Sequence, residues 1–155
     1  MRILMVCLGN ICRSPLAEGI LKEKARTAGL DWHVDSAGTG DWHSGEQPDR
    51  RSIAVARKYG IDISPQRARQ VHPGDFQRFD LILAMDRANL HDLQRLAPSP
   101  EAAARVRLIL DLAHGGPAEV PDPYYHDDKA FEEVFQLLDA ACAEIVGKQG
   151  GANES

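Results

Sequence analysis

Short apolar runs alternate along the chain with longer stretches in which apolar residues recur at helical spacing. Ile3-Leu4-Met5-Val6 is the first run, and Gly9-Asn10 lie close behind it. A run unbroken by polar residues predicts a strand buried on both faces and ending in a turn. Ser14-Pro15 then open a segment in which Leu16, Ile20, Leu21 and Ala25 share a helical face. Pro15 suits a first helical position and Gly29 a stop. Trp32-His33-Val34-Asp35 alternates like a second strand, and residues 38–48 are rich in turn formers and hold Trp42. A helix is expected from about Arg50 to Tyr59, closed by Gly60. Leu81-Ile82-Leu83-Ala84 predicts another buried strand, and Asp86 a cap for a helix carrying Leu90, Leu93 and Leu96. Val106-Arg107-Leu108 predicts a further short strand. Residues 111–127 read as a long polar loop with three prolines, and Phe131, Val134, Phe135, Leu138 and Ile145 mark a last helix. Residues 1–147 read as one domain and 148–155 as a flexible polar tail.

Strands alternating with helices imply an α/β fold. The expected architecture is a single-domain, doubly wound sandwich: a central, mainly parallel, roughly four-stranded sheet with helices on both faces. Ligands of such sheets bind beyond the carboxyl ends of the strands. The loop after the first strand is therefore the first candidate site, and it reads Cys7-Leu8-Gly9-Asn10-Ile11-Cys12-Arg13-Ser14.

That loop joins a buried strand to a helix N-terminus, where free backbone N–H groups and the helix dipole favour an anion. Gly9 and Asn10 tolerate positive φ, so the backbone can curl its amides inward. Arg13 brings a planar fork of donors suited to a tetrahedral oxyanion. The same field favours the thiolate of Cys7, and Ser14 is placed to donate a hydroxyl to it. A thiolate beside amides and a guanidinium describes a nucleophile for phosphoryl transfer. The C-x5-R spacing alone leaves a plainer reading open, with Cys7 a buried strand cysteine and Arg13 a solvated helix residue. Asp122, between Pro121 and Pro123, reads by itself first as a turn aspartate and only second as an acid. Trp42 reads equally as a core lid, although Trp42, Tyr124 and Tyr125 all fall in long loops and so suit an aromatic-lined cleft.

Composition narrows the partners. The chain has 155 residues, 43% hydrophobic and 26% charged, with a net charge of −5 and no basic block. This argues against a nucleic-acid partner and requires any phosphate site to be built locally. Three cysteines, Cys7, Cys12 and Cys142, do not make a disulfide framework. A metal site at Cys7 and Cys12 needs two more ligands, and no His or Cys lies near enough in sequence, so no metal or cofactor is expected. The first apolar run is too short to span a membrane and lacks the layout of a signal peptide. The expectation is a cytoplasmic protein with reduced thiols and no membrane partner.

Val6-Cys7-Leu8-Gly9-Asn10-Ile11-Cys12-Arg13-Ser14-Pro15 closely resembles the phosphate-binding loop of low-molecular-weight protein tyrosine phosphatases. Asp35-Ser36-Ala37-Gly38, Asp41-Trp42, Ala68-Arg69-Gln70, Met85-Asp86 and Asp122-Pro123-Tyr124-Tyr125 resemble further landmarks of that family, in its order. The resemblance implies a phosphotyrosine hydrolase with phosphotyrosine proteins as substrates and inorganic phosphate or other oxyanions as inhibitors. It implies that Cys7 forms a phosphocysteine, Arg13 binds the phosphate, and Asp122 serves as general acid and then base. It further implies that Leu8, Gly9, Asn10, Ile11, Cys12 and Ser14 form the phosphate-binding loop. Asn10, left-handed and helped by Ser36, would brace it. Ile11, Trp42, Tyr124 and Tyr125 would wall the cleft, and the two tyrosines would themselves be candidates for phosphorylation. One departure is visible: where vertebrate members carry a histidine after the second helix, Gln66 aligns here, while His72 reads as a surface residue.

Three rival functions share the loop chemistry. A thiol-dependent arsenate reductase needs further cysteines on a mobile segment, whereas Cys142 sits in the last helix pattern. Cys12 fits better as a partner that protects Cys7 through a reversible disulfide. A protein arginine phosphatase would carry threonine at Ile11, where a branched side chain crowds phosphoarginine's planar group. A non-catalytic phosphopeptide-binding module would lack the nucleophile or the acid, and both Cys7 and Asp122 are present.

Overall fold

The computed structural model describes the backbone of residues 1–116 and 118–154. Four strands form one sheet: β1 (Arg2–Cys7), β2 (His33–Gly38), β3 (Leu81–Ala84) and β4 (Val106–Leu108). Their order is β2-β1-β3-β4, and every pairing is parallel. The described residues also form seven helices: α1 (Arg13–Thr27), α2 (Arg50–Lys58), α3 (Asp75–Arg78), α4 (Arg87–Leu96), α5 (Pro100–Ala103), α6 (Ile109–His114) and α7 (Asp128–Glu154), the last two following β4.

The unbroken apolar run of β1 follows from its central place. Ile3 and Met5 face a core shared with Leu16 and Ile20 of α1, Ala56 of α2, Leu110 of α6 and Phe131 and Leu138 of α7. Leu4 and Val6 face the other core, with Phe76 of α3, Leu93 of α4 and Ala102 of α5. The sandwich is thus doubly wound, as expected. These four of the six β1 side chains are fully buried. Each such burial is worth roughly 1.5–3 kcal/mol, so the strand that carries Cys7 is firmly held. The register sets Cys7 beside Gly38 and Val6 beside Ala37 and Ala84. The carboxyl ends of β1, β2 and β3 therefore open on one edge.

Several details differ from the sequence reading. α1 begins at Arg13, so Pro15 is its third residue rather than its first; the N–H groups of the first turn have no helical partner, and a proline there costs no hydrogen bond. β2 runs on past Asp35 to Gly38. The expected loop 111–127 is shorter, because α6 follows β4 directly and ends at Gly115, with φ 76°. Its apolar Ile109, Leu110, Leu112 and Ala113 are buried, which draws the segment into a helix. α3 and α5 are single turns too short to show a period. α7 takes in most of the segment read as a tail. Pro117 of the long loop and Ser155 at the end lie outside the described residues. Among the described residues no helix is long and apolar enough to cross a membrane.

Candidate active site

Cys7 ends β1, buried to 3% exposure, and α1 starts six residues on at Arg13. Asn10 alone among the described non-glycine residues has positive φ, 57°. Gly9 does not share that conformation. Its missing side chain makes room instead, because a Cβ there would lie 3.1 Å from Cδ2 of His43. None of the amide N–H groups of residues 8–12 donates to a backbone carbonyl among the described residues. Donors without a backbone partner at a helix N-terminus are the kind of group that an anion satisfies.

Asn10 fixes the direction of the hydrogen bonds beneath the loop. Its Oδ1 accepts the backbone N–H of Arg69 at 3.0 Å, which orients the amide group. Its Nδ2 therefore donates to Ser14 Oγ at 2.8 Å and to Ser36 Oγ at 3.0 Å. Ser36 donates onward to Glu18 Oε1 at 2.7 Å. Ser14, already accepting from Asn10, has its own proton for Cys7 Sγ, 3.0 Å away. A hydroxyl donor stabilises a thiolate more than a thiol. Glu18 is buried and ion-paired with Lys22 at 2.6 Å. Gln66 stays outside this network, donating to the Pro15 carbonyl at 3.1 Å. His72 is exposed.

Arg13 is 2% exposed. Its Nη1 donates to Asp86 Oδ2 at 2.7 Å and to the Val120 carbonyl at 3.0 Å. Both bonds use one nitrogen, which leaves the Nε and Nη2 edge for a ligand. Burial works against the charge, but Cys7, Asp86 and Asp122 outweigh it and raise the guanidinium's pKa. Asp122 Oδ2 lies 3.9 Å from Arg13 Nη2, and Asp122 is exposed.

These groups share one cavity of about 340 Å³, lined by Cys7, Leu8, Gly9, Ile11, Cys12, Arg13, Trp42, His43, Asp122, Tyr124 and Tyr125. The structure thus brings Asp122 to the loop although 115 positions separate Asp122 from Cys7 in sequence. Trp42 is no core lid: it is 68% exposed and lies across Gly40, where a Cβ would meet its ring at 1.8 Å. Tyr124 and Tyr125 pack edge to face with centroids 4.9 Å apart, and Tyr125 is 89% exposed. Asn10, Ser14 and Ser36 lie beneath the loop. All three cysteines are free. Burial, then Asp49, Cys7 and Asp122, push the Cys12 thiol well above its ordinary range, and burial pushes Cys142 up to about 12. Among the described residues no three His, Cys, Asp or Glu side chains cluster to hold a metal.

Sequence reasoning missed several members. Glu18 looks like one of many helix-surface carboxylates. Asp86 is legible as the cap of α4, which it is, accepting from Asn89 N–H, but not as the anchor of Arg13. His43 hides in a turn-rich stretch. Asp49 and Arg51, discussed below, lack any local signal beyond the Asp cap of α2.

The sequence and the fold are similar to those of known proteins. The family profile for low molecular weight phosphotyrosine protein phosphatases matches residues 2–152. A low molecular weight protein-tyrosine-phosphatase from Streptomyces coelicolor is 44% identical over 150 residues, covering 94% of this chain and 91% of that one. The crystal structure of a protein tyrosine phosphatase from Entamoeba histolytica, with Hepes in its active site, superposes with a TM-score of 0.91 at 36% identity and covers 99% of both chains. Wzb from Vibrio vulnificus, in complex with benzylphosphonate, superposes with a TM-score of 0.84 at 31% identity, over 95% of this chain and 97% of that one. With the profile spanning nearly its whole length, the chain belongs to the low molecular weight phosphotyrosine protein phosphatase family.

Proposed function

We propose that the protein hydrolyses phosphotyrosine in proteins by two displacements at phosphorus, through a phosphocysteine on Cys7. One observation carries this reading: Cys7 Sγ, with the Ser14 hydroxyl at 3.0 Å, lines the same cavity as Arg13, Asp122 and a run of loop amides lacking backbone acceptors. In the first step the Cys7 thiolate forms an S–P bond as the bond from phosphorus to the tyrosyl oxygen breaks. Asp122 gives its proton to that oxygen. In the second step the Asp122 carboxylate takes a proton from water, the water oxygen bonds to phosphorus, and the S–P bond breaks to release phosphate and restore the thiolate. Arg13 and the amides of residues 8–12 meet the charge on the equatorial oxygens. Asn10 and Ser36 hold the loop.

Trp42, Tyr124, Tyr125 and Ile11 offer flat and branched apolar surface for the substrate ring. The Hepes and benzylphosphonate bound by two structural relatives each join a tetrahedral oxyanion to an organic group, and inorganic phosphate and related oxyanions should inhibit here. The branched Ile11 in the cavity wall favours phosphotyrosine over phosphoarginine. Cys12 lines the cavity with Cys7. If peroxide oxidises Cys7 to a sulfenic acid, condensation with the Cys12 thiol expels water and forms a disulfide that a thiol reductant reverses. The cytoplasm, whose reductants keep thiols free, suits a cysteine nucleophile. We assign the catalytic unit to residues 1–147.

Turnover of phosphotyrosine, phosphoserine and phosphoarginine peptides tests the reading. Phosphotyrosine should dominate, Cys7→Ser should abolish turnover while leaving phosphate binding intact, and Asp122→Ala should slow poor leaving groups most. Selective phosphoarginine turnover, or full activity without Cys7, would contradict it.

A further inference from the structure

We infer that Arg51 is a positioning residue for Asp122, setting the loop that carries the acid in register with the phosphate-binding loop; this rests on the reading of Asp122 as the proton donor. The loop that carries Asp122 is fixed on its near side by Val120, whose N–H donates to the Met85 carbonyl at 2.8 Å and whose carbonyl accepts from Arg13. Its far side is fixed by Arg51, which donates through Nη2 to the Tyr124 carbonyl at 2.9 Å and through Nη1 to the His126 carbonyl at 2.8 Å. Asp122 lies between the two arginine clamps, its Oδ1 accepting, among the described residues, only the local N–H of Tyr124 at 3.1 Å.

Arg51 is itself fastened to the other half of the site. Its Nε and Nη2 grip Asp49 at 3.0 and 3.1 Å. Asp49 caps α2 and donates its backbone N–H to the Ile11 carbonyl, within the phosphate-binding loop, at 2.7 Å. A continuous path of hydrogen bonds thus runs from Ile11 through Asp49 and Arg51 to Tyr124 and His126. The guanidinium carbon also lies 4.3 Å from the centroid of the Phe131 ring, at the start of α7. An ordinary surface ion pair would spend its donors on one carboxylate. Here two donors go to loop carbonyls on either side of Tyr125, a fork geometry that lysine does not reproduce. Misplacing a catalytic group by about 1 Å can cost on the order of a hundredfold.

The test compares kcat/KM on phenyl phosphate, whose leaving group needs a proton, with 2,4-dinitrophenyl phosphate, whose leaving group does not. Arg51→Ala should lose about tenfold more on phenyl phosphate than on the dinitrophenyl ester. Arg51→Lys, which keeps charge and stem, should show the same skew in smaller degree and carries the test if the alanine variant does not fold. In an Asp122→Asn background, Arg51→Ala should change phenyl phosphate turnover by less than about twofold, because the group it positions is gone. Equal losses on both esters, a lysine variant with the unaltered leaving-group dependence, or the same loss in the Asp122→Asn background would overturn the inference. Asp122→Asn alone separates the two claims. A skew there without one in the Arg51 variants defeats only the role of Arg51. No skew there defeats the acid assignment and this inference with it.

Discussion

Asn10 Nδ2 donates to Ser14 Oγ across 2.8 Å, and this contact decides which way the Ser14 hydroxyl proton is spent. Because Arg69 N–H holds the amide oxygen, the nitrogen must face the two serines, and Ser14 is left to donate toward Cys7. One side chain in a left-handed conformation thus joins the loop, β2 and the segment around Arg69.

Two substitutions separate the conformation of Asn10 from its bonds. Asn10→Gly tolerates φ 57° but leaves Ser14, Ser36 and the Arg69 N–H without their partner. At about 1 kcal/mol per lost buried bond, it should reduce stability by roughly 2–3 kcal/mol in urea unfolding. Asn10→Ala should cost about 1 kcal/mol more, since alanine adds left-handed strain. Equal stabilities for the two variants would show that backbone strain does not matter there.

Gly38 should tolerate no side chain. A Cβ at this position would lie 2.8 Å from the Leu8 carbonyl oxygen and 3.2 Å from Asn10, and both belong to the loop backbone or its brace. Gly38→Ala should therefore destabilise by about 1–3 kcal/mol and weaken phosphate binding by displacing the loop. Gly147→Ala, with nothing within 4 Å of the added methyl, serves as the control and should stabilise α7 slightly. Thermal unfolding with and without phosphate reads both effects.

Much of the fold was legible in the sequence, for physical reasons. β3 is a short apolar run and β4 a short alternating segment, Val106-Arg107-Leu108, and both appear at the expected residues. The loop between β1 and α1 could be picked out as the candidate site because its signal is local: Cys7, left-handed Asn10, Arg13 and the helix start fall within eight residues. What stayed hidden is carried by long-range contacts between ordinary residues. Glu18 pairs with Ser36 across 18 positions, Arg13 with Asp86 across 73, and Arg51 with His126 across 75. Glu18 is a charged residue of α1, yet it is buried and accepts a hydrogen bond from Ser36 of β2, a partner that helical spacing does not reveal. α6 was missed because its apolar residues follow β4 without a break, so strand and helix share one run.

Arg13 is expected to resist even conservative exchange. Lysine keeps the charge but has no second nitrogen to serve an anion while Asp86 and Val120 are held. Arg13→Lys should lower kcat by about a thousandfold or more while the fold persists. Steady-state kinetics beside circular dichroism checks both halves of the statement.

Cys142 makes a prediction about alkaline stability. Burial raises its thiol from 9.0 to about 12, so the folded state holds the proton that the unfolded state releases. The resulting stabilisation is full below pH 9 and is lost as the pH rises through about 12. Cys142→Ala should flatten the fall in unfolding free energy over that window. An unchanged alkaline slope would mean that other groups govern it.

The most direct test is chemical trapping of the intermediate. The enzyme is mixed with a ³²P-labelled phosphotyrosine peptide, quenched within milliseconds and digested. One label per chain on the peptide containing Cys7, absent from Cys7→Ser and longer-lived in Asp122→Ala, is the predicted result. Label on any other residue, or sustained phosphate release by Cys7→Ser, would contradict it.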